Sequence, residues 1–138
     1  MAGVESDIRY VEGVREPIEE LARVLRSADW ATGRDDDVIR RALESTAVVV
    51  TAWRGDRCVG ILRVISDGIY RALIEDVVID PDARGQGIGR GLVEFALSHP
   101  DVAGVEELIL FTMVPVFWSR FGFEPAGLAM KRFQRQSS

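Results

Sequence analysis

The sequence predicts an α+β fold, a mixed α/β arrangement in which about four helices cover a mostly antiparallel central sheet. Three observations lead there. Between Ala47 and Ile79, three β-rich runs are separated only by short turns, which is the signature of an antiparallel meander. Apolar stripes at helical spacing stand on either side of that meander. The chain of 138 residues, 47% hydrophobic and 28% charged, has the size and composition of one compact domain spanning 1–138.

Taken in order, Ile8 to Val14 reads as an opening strand, with Ile8 and Tyr10 on alternate positions. Glu16-Pro17 starts a helix, since proline is tolerated in a first turn, and Ile18, Leu21, Ala22, Val24 and Leu25 form its stripe. Asp35-Asp36-Asp37 reads as the capped, acid-rich start of a second helix over Val38 to Glu44, although these acids could also line a substrate mouth. Strands follow at Ala47 to Trp53, Cys58 to Ile65 and Tyr70 to Ile79, joined by Arg54-Gly55-Asp56-Arg57 and Ser66-Asp67-Gly68. Ile88, Leu92, Phe95 and Ala96 mark a third helix, ended by Ser98-His99-Pro100. Leu108 to Thr112 is a short strand beside Tyr70–Ile79, Val114 to Phe121 a short helix, and Phe123 to Phe133 a final strand interrupted at Pro125–Gly127. The tail from Gln134 to Ser138 is expected to fray. The order is β-α-α-β-β-β-α-β-α-β.

Composition removes several classes of function. The net charge of -5 disfavours general nucleic-acid binding, whose footprint is a basic surface. No apolar run approaches the roughly 20 residues of a membrane span, and Met1 to Glu16 lacks the apolar core of a secretory signal. The single cysteine, Cys58, excludes an intramolecular disulfide and fits a reducing, cytoplasmic setting; among apolar strand residues it reads as a buried structural thiol. His99, the only histidine, reads as a solvated residue or a C-terminal cap of the third helix rather than a base. No ligand cluster points to a metal.

The chemistry concentrates in Val77-Val78-Ile79-Asp80-Pro81-Asp82-Ala83-Arg84-Gly85-Gln86-Gly87-Ile88-Gly89. Asp80-Pro81-Asp82 stops the strand, and the three glycines let backbone approach a bulky group. The helix opening near Ile88 aims unpaired N–H groups at that group, which makes it an anion, most simply a phosphate. A P-loop is excluded because no Lys-Ser/Thr pair follows the glycines. A dinucleotide fingerprint fails in both registers, where its third glycine would fall on Arg90 or Leu92.

The pattern Val77-x-Ile79-x-Pro81-x-x-Arg84-Gly85-x-Gly87-x-Gly89 is followed about thirty residues later by Phe117-Trp118-Ser119-Arg120-Phe121-Gly122-Phe123-Glu124-Pro125. This pair resembles the two core motifs of the GNAT superfamily of acetyl-CoA-dependent N-acetyltransferases. The likeness covers Ala47 to Phe133, with the core motifs in 70–125, and implies a splayed, mostly antiparallel sheet. It implies that Arg84, Gly85, Gln86, Gly87, Ile88, Gly89 and Arg90 bind the pyrophosphate of acetyl-CoA, the co-substrate. The backbone of Val77, Val78 and Ile79 would hold the pantetheine arm, with Leu108 to Thr112 across the splay.

Attack of an amine on the thioester requires a neutral amine, a polarised carbonyl and a protonated leaving thiol. For the first, Glu75 and Asp76 stand out as acids inside an apolar strand, and the pair is similar to the Glu-Asp of polyamine-type acetyltransferases. Strand alternation puts Glu75 on the side of Val77 and Ile79, and Asp76 on the other. Glu75 is the preferred base or amine anchor, against a solvated edge or an ion pair with an arginine. By the family's geometry the Val77 N–H polarises the carbonyl. For the third, the family usually has a tyrosine where this chain has Trp118, and an indole does not release a proton near neutral pH. The thiolate then leaves to solvent, another group such as Tyr70 or Ser119 substitutes, or the domain binds acyl-CoA without turnover.

The segment from Phe111 to Met130 also resembles small plastid and cyanobacterial arylalkylamine-type acetyltransferases, which implies a small-molecule amine acceptor. Met113, Val114, Pro115, Val116 and Phe117 would be an apolar acceptor wall, or simply the core of a short helix. The expectation is transfer of the acetyl group of acetyl-CoA to a primary amine, aryl, alkyl or polyamine-like. The alternatives are a non-catalytic acyl-CoA-binding regulatory module, or an acetyltransferase for protein lysines or N-termini. A homodimer accords with family habit, though no residue fixes it.

Overall fold

The β-rich runs and helical stripes take their places in a five-stranded sheet of order β1-β2-β3-β4-β5. The computed structural model describes residues 7–127 and 129–134. Its strands are β1 (Ile8–Glu12), β2 (Val48–Arg54), β3 (Arg57–Ser66), β4 (Arg71–Ile79) and β5 (Glu107–Ile109). The helices are α1 (Ile18–Arg26), α2 (Asp36–Glu44), α3 (Ile88–Leu97), α4 (Pro100–Ala103) and α5 (Pro115–Ser119). β1 to β4 pair antiparallel, and β5 joins β4 in parallel. That is the mixed, mostly antiparallel α+β architecture the sequence predicts.

The sheet is covered on both faces, and alternation along its strands feeds two cores. Val48, Val50, Leu62, Val64, Ala72 and Ile74 pack with Leu92, Val93 and Ala96 of α3. Val49, Trp53, Cys58, Ile61 and Val78 pack with the α1 stripe, Ile18, Leu21, Ala22, Val24 and Leu25, and with Ile39 and Leu43 of α2. β2 is buried on both sides up to Trp53, as its unbroken apolar run requires. Asp35 caps α2 by accepting the Val38 N–H at 2.8 Å, so the aspartate run is the helix start its spacing implied.

Three local expectations are corrected. His99 does not cap the end of α3; its Nδ1 accepts the Asp101 N–H at 3.1 Å and caps the start of α4, a turn absent from the predicted order. The strand expected over Leu108 to Thr112 pairs only over Glu107–Ile109. No strand forms among the described residues of Phe123 to Phe133, because β5 is too short to template a neighbour and Pro125 and Gly127 interrupt the run. Residues 135–138 of the expected frayed tail lie outside the described residues.

Candidate active site

The turn after β4 is built by backbone. Asp80 closes it, its carboxylate accepting the Asp82 N–H at 3.0 Å while Arg23 and Arg57 each reach it at 2.9 Å. Burial alone would raise this carboxyl's pKa; the Asp82 amide and the two guanidinium groups outweigh that and hold it below the ordinary aspartate value. Gly85 and Gly87 follow with φ of +77° and +80°, where a side chain is strained. A Cβ built on either would meet nothing within 4 Å, so both face open space. Gly87 is the N-cap of the ten-residue α3 without any side-chain cap. The N–H groups of Ile88, Gly89 and Arg90 therefore point out of the helix unpaired by its ladder.

The side chains around this cradle divide. Arg84 is exposed and makes no ion pair among the described residues, leaving its guanidinium available. Arg90 is held by Glu94 at 3.0 Å, and the Gln86 side-chain oxygen accepts from Arg54 at 2.6 Å. Gly89 has a separate role from the other two glycines. It is helical, and a Cβ there would lie 3.6 Å from the Phe117 ring, an ordinary packing contact.

β4 is splayed from its parallel neighbour. Its pairing with β5 stops at Leu73–Ile109, so from Ile74 to Ile79 it has a strand partner only on the β3 side. The free edge carries Val77, Val78 and Ile79 up to the cradle. Within it the register slips: Arg63 faces Glu75, whereas Ile61 already faces Val78. The slip is a β-bulge at Asp76, whose φ of +52° makes it the one described non-glycine residue in the left-handed region.

The bulge overturns the expected face of Glu75. Ala72 and Ile74 belong to the α3 core before it, and Val77 and Ile79 pack on that same core after it. Glu75, opposite Arg63, thus lies on the α1/α2 face rather than beside Val77 and Ile79, because the extra residue inverts the alternation. The two acids also differ in company. Asp76 is nearly buried and its Oδ2 binds Arg63 Nε at 2.5 Å, with Arg34 Nη1 at 3.7 Å. Glu75 is half-buried and has neither ion pair nor side-chain hydrogen bond among the described residues.

Trp118 is 6% exposed, inside the α3 core, edge-on to Phe117 at 5.0 Å and to Phe123 at 5.6 Å. Tyr70 stands seven positions before Val77, roughly 20 Å along a strand. Ser119 donates its hydroxyl proton to the Val116 carbonyl at 2.8 Å. Cys58 is buried, and burial pushes its thiol up to about 11, which removes it as a nucleophile. The apolar segment before Trp118 is not core along its length, since Met113, Val114 and Val116 are exposed and only Phe117 is half-buried.

Sequence reasoning missed a cleft of about 220 Å³ on the α1/α2 face of the bulge. Leu25, Val38, Ile39 and Leu43 wall it, and Arg34, Arg63 and Asp76 supply its polar side. Arg63 was findable: it is the one charge inside the apolar run Cys58 to Ile65, and meander pairing sets it against Glu75-Asp76. A larger groove near Tyr70 and Arg71 opens at the far end of β4, where Arg71 is tied to Glu107 at 3.0 Å. An open surface trough, it has no part in the arrangement at the bulge.

β4 thus ends in a free backbone edge beside an open turn at the start of α3, and the bulge places an unpaired carboxylate on the α1/α2 face. Comparison with known proteins gives the family. The family model described as Acetyltransferase (GNAT) domain matches residues 45–125. Serotonin N-acetyltransferase 2, chloroplastic, of rice is 32% identical over 117 residues, 75% of this chain and 57% of that protein. An N-acetyltransferase described as ycf52-like from Prochlorococcus marinus is 31% identical over 67% of this chain and 53% of its own length. The chain thus spans little more than half the length of these curated relatives. The crystal structure of a putative GNAT-family acetyltransferase from Xanthomonas campestris superposes with a TM-score of 0.78 at 26% identity, covering 91% of this chain and 93% of that one. With cradle, splayed strand and family model coinciding, the chain belongs to the GNAT acetyltransferase family.

Proposed function

We propose that this domain transfers the acetyl group of acetyl-CoA to the primary amine of a small molecule by direct attack on the thioester. The observation that carries the reading is the free edge of β4 from Ile74 to Ile79 running into an open, uncapped cradle at the start of α3. The cradle fits a pyrophosphate: two positive-φ glycines leave it unobstructed, three helix N–H groups converge on it, and Arg84 adds an uncommitted charge.

Acetyl-CoA supplies the activated acyl group. Val77, Val78 and Ile79 hold the pantetheine arm as an added strand through their unpaired backbone groups. The Val77 N–H donates to the thioester oxygen and stabilises the charge that develops there. Glu75 takes the proton of the incoming amine, directly or through one water; Asp76, already neutralised by Arg63, positions the bulge instead. Trp118 holds α5 against α3 by packing, and the thiolate is protonated by solvent. A cleft of about 220 Å³ suits a small acceptor better than a peptide.

Thiol release from acetyl-CoA across a panel of amines tests the proposal, with Glu75→Gln as the control. The variant should keep its affinity for acetyl-CoA and lose about 10²–10³-fold in kcat, the usual contribution of a general base. Trp118 favours a second reading, a non-catalytic acyl-CoA-binding module. That reading gains if the coenzyme binds tightly and no amine raises thiol release above the buffer rate.

A further inference from the structure

We infer that the acceptor is an apolar amine carrying a carboxylate, an amino-acid-like molecule, and that Arg34 binds that carboxylate. The inference rests on reading the bulge cleft as the acceptor site. Its apolar side is Leu25, Val38, Ile39, Ala42 and Leu43, enough for a small aliphatic or aromatic group. Its polar side holds two guanidinium groups and one carboxylate, a surplus of one positive charge.

The two arginines are not equivalent. Arg63 is spent: Nε is on Asp76 Oδ2 at 2.5 Å, Nη1 donates to Thr46 Oγ1 at 3.2 Å, and its side chain is 17% exposed. Arg34 lies 3.7 Å from the same Oδ2, beyond hydrogen-bond distance, and donates no side-chain hydrogen bond among the described residues. It stands over the exposed Trp30 ring at 5.4 Å, at the rim of the cleft, with its planar donor fork unfilled. A carboxylate is the natural occupant of such a fork. Glu75 lies on this same face of the sheet, next to Asp76 of the cleft wall, and in this proposal it meets the amine while Arg34 meets the acid. A polyamine offers nothing to the Arg34 fork, and a second ammonium beside that guanidinium is disfavoured.

Matched pairs test this directly: phenylalanine against 2-phenylethylamine, and leucine against 3-methylbutylamine, with spermidine as the polycation. Titration calorimetry on the coenzyme A-loaded protein reads binding, and thiol release from acetyl-CoA reads kcat/KM. The amino acids should exceed their decarboxylated partners by about tenfold in both, the worth of a half-exposed charge-assisted pair. Arg34→Ala should bring that ratio close to one, and Arg34→Lys should restore part of it. Equal affinity within each pair, tighter binding of spermidine, or a ratio unmoved by Arg34→Ala overturns the inference, and turnover without preference does so while leaving acetyl transfer standing. Preference in the calorimeter without turnover supports the inference and removes catalysis instead.

Discussion

Two aspartates four residues apart, Asp76 on β4 and Asp80 just past its end, organise the two halves of the candidate site in different ways. Asp80 sits where the strand ends. It is tied to Arg23 and Arg57 at 2.9 Å each and caps the turn that leads into the glycines. Beyond it the turn is mostly backbone: positive-φ glycines and a bare helix start, with Arg84 its one uncommitted side-chain charge among the described residues. Asp76 sits inside the strand, and what it organises is built from side chains distant in sequence, Arg63 on β3 and Arg34 before α2. Backbone sites are written locally, so a short motif encodes them. Side-chain sites depend on which elements meet, so a motif does not.

The largest expected effect breaks the bulge end. Asp76→Ala removes the anion that neutralises Arg63 and puts a methyl side chain at φ +52°, so it should cost about 3–5 kcal/mol in urea unfolding. Asp76→Asn should cost clearly less, because asparagine tolerates the left-handed region and keeps a polar partner for Arg63. If the two variants unfold alike, the bulge conformation is no part of the cost. At the cradle end, Gly87→Glu places a carboxylate and a strained backbone where N–H groups converge on an anion. Acetyl-CoA affinity by calorimetry should fall about a hundredfold, near 2.7 kcal/mol. An unchanged affinity would move the coenzyme off this turn.

This contrast also explains what the sequence disclosed. The meander, the α1 stripe and the Asp35 cap follow from periodicity and local hydrogen bonding, and they stand where they were expected. The face of Glu75 did not, because the alternation rule assumes an unbroken ladder and one left-handed residue inverts it. Arg34 carried no signal at all: it lies in a polar stretch, and only the packing of α1 and α2 on the sheet brings it to the bulge. The last expected strand failed for a related reason. Its β-rich composition was real, but pairing needs a neighbour, and β5 offers three residues. Trp118 was visible as a departure from the family's tyrosine; that it is core was not, since burial depends on Phe117, Phe121 and Phe123 closing around it.

Gly91 probes the structural frame behind the cradle. A Cβ there would lie 1.9 Å from the Tyr10 hydroxyl oxygen and 2.3 Å from the ring carbon bearing it, so β1 and α3 approach this closely only because the residue is glycine. Gly91→Ala should destabilise by about 1–3 kcal/mol, read as a lowered Tm, because the ring must move out of its contact with Phe95. Tyr10→Ala made alongside should make the second substitution nearly neutral. A simple sum of the two single effects would mean that the contact is not the constraint.

The smallest effect concerns charge at Asp80, and its sign follows from that carboxyl's lowered pKa. The folded carboxyl titrates below its ordinary value because the Asp82 amide, Arg23 and Arg57 together overcome the opposing effect of burial. An unfolded aspartate titrates near 3.9, so between the two values the unfolded chain binds more protons and stability falls as pH falls. The contribution is therefore complete above about pH 4 and is lost as pH drops through the folded pKa. Asp80→Asn keeps an oxygen to cap the turn and removes the charge together with the Oδ2 acceptor that Arg23 and Arg57 share. Its deficit against the wild type, read from urea midpoints at pH 7 and pH 3, should be larger at pH 7 and shrink at pH 3. A deficit that stays constant across that range would mean that Asp80 holds the turn by hydrogen bonding alone, and that Arg23 and Arg57 are neighbours of the cradle without being part of what secures it.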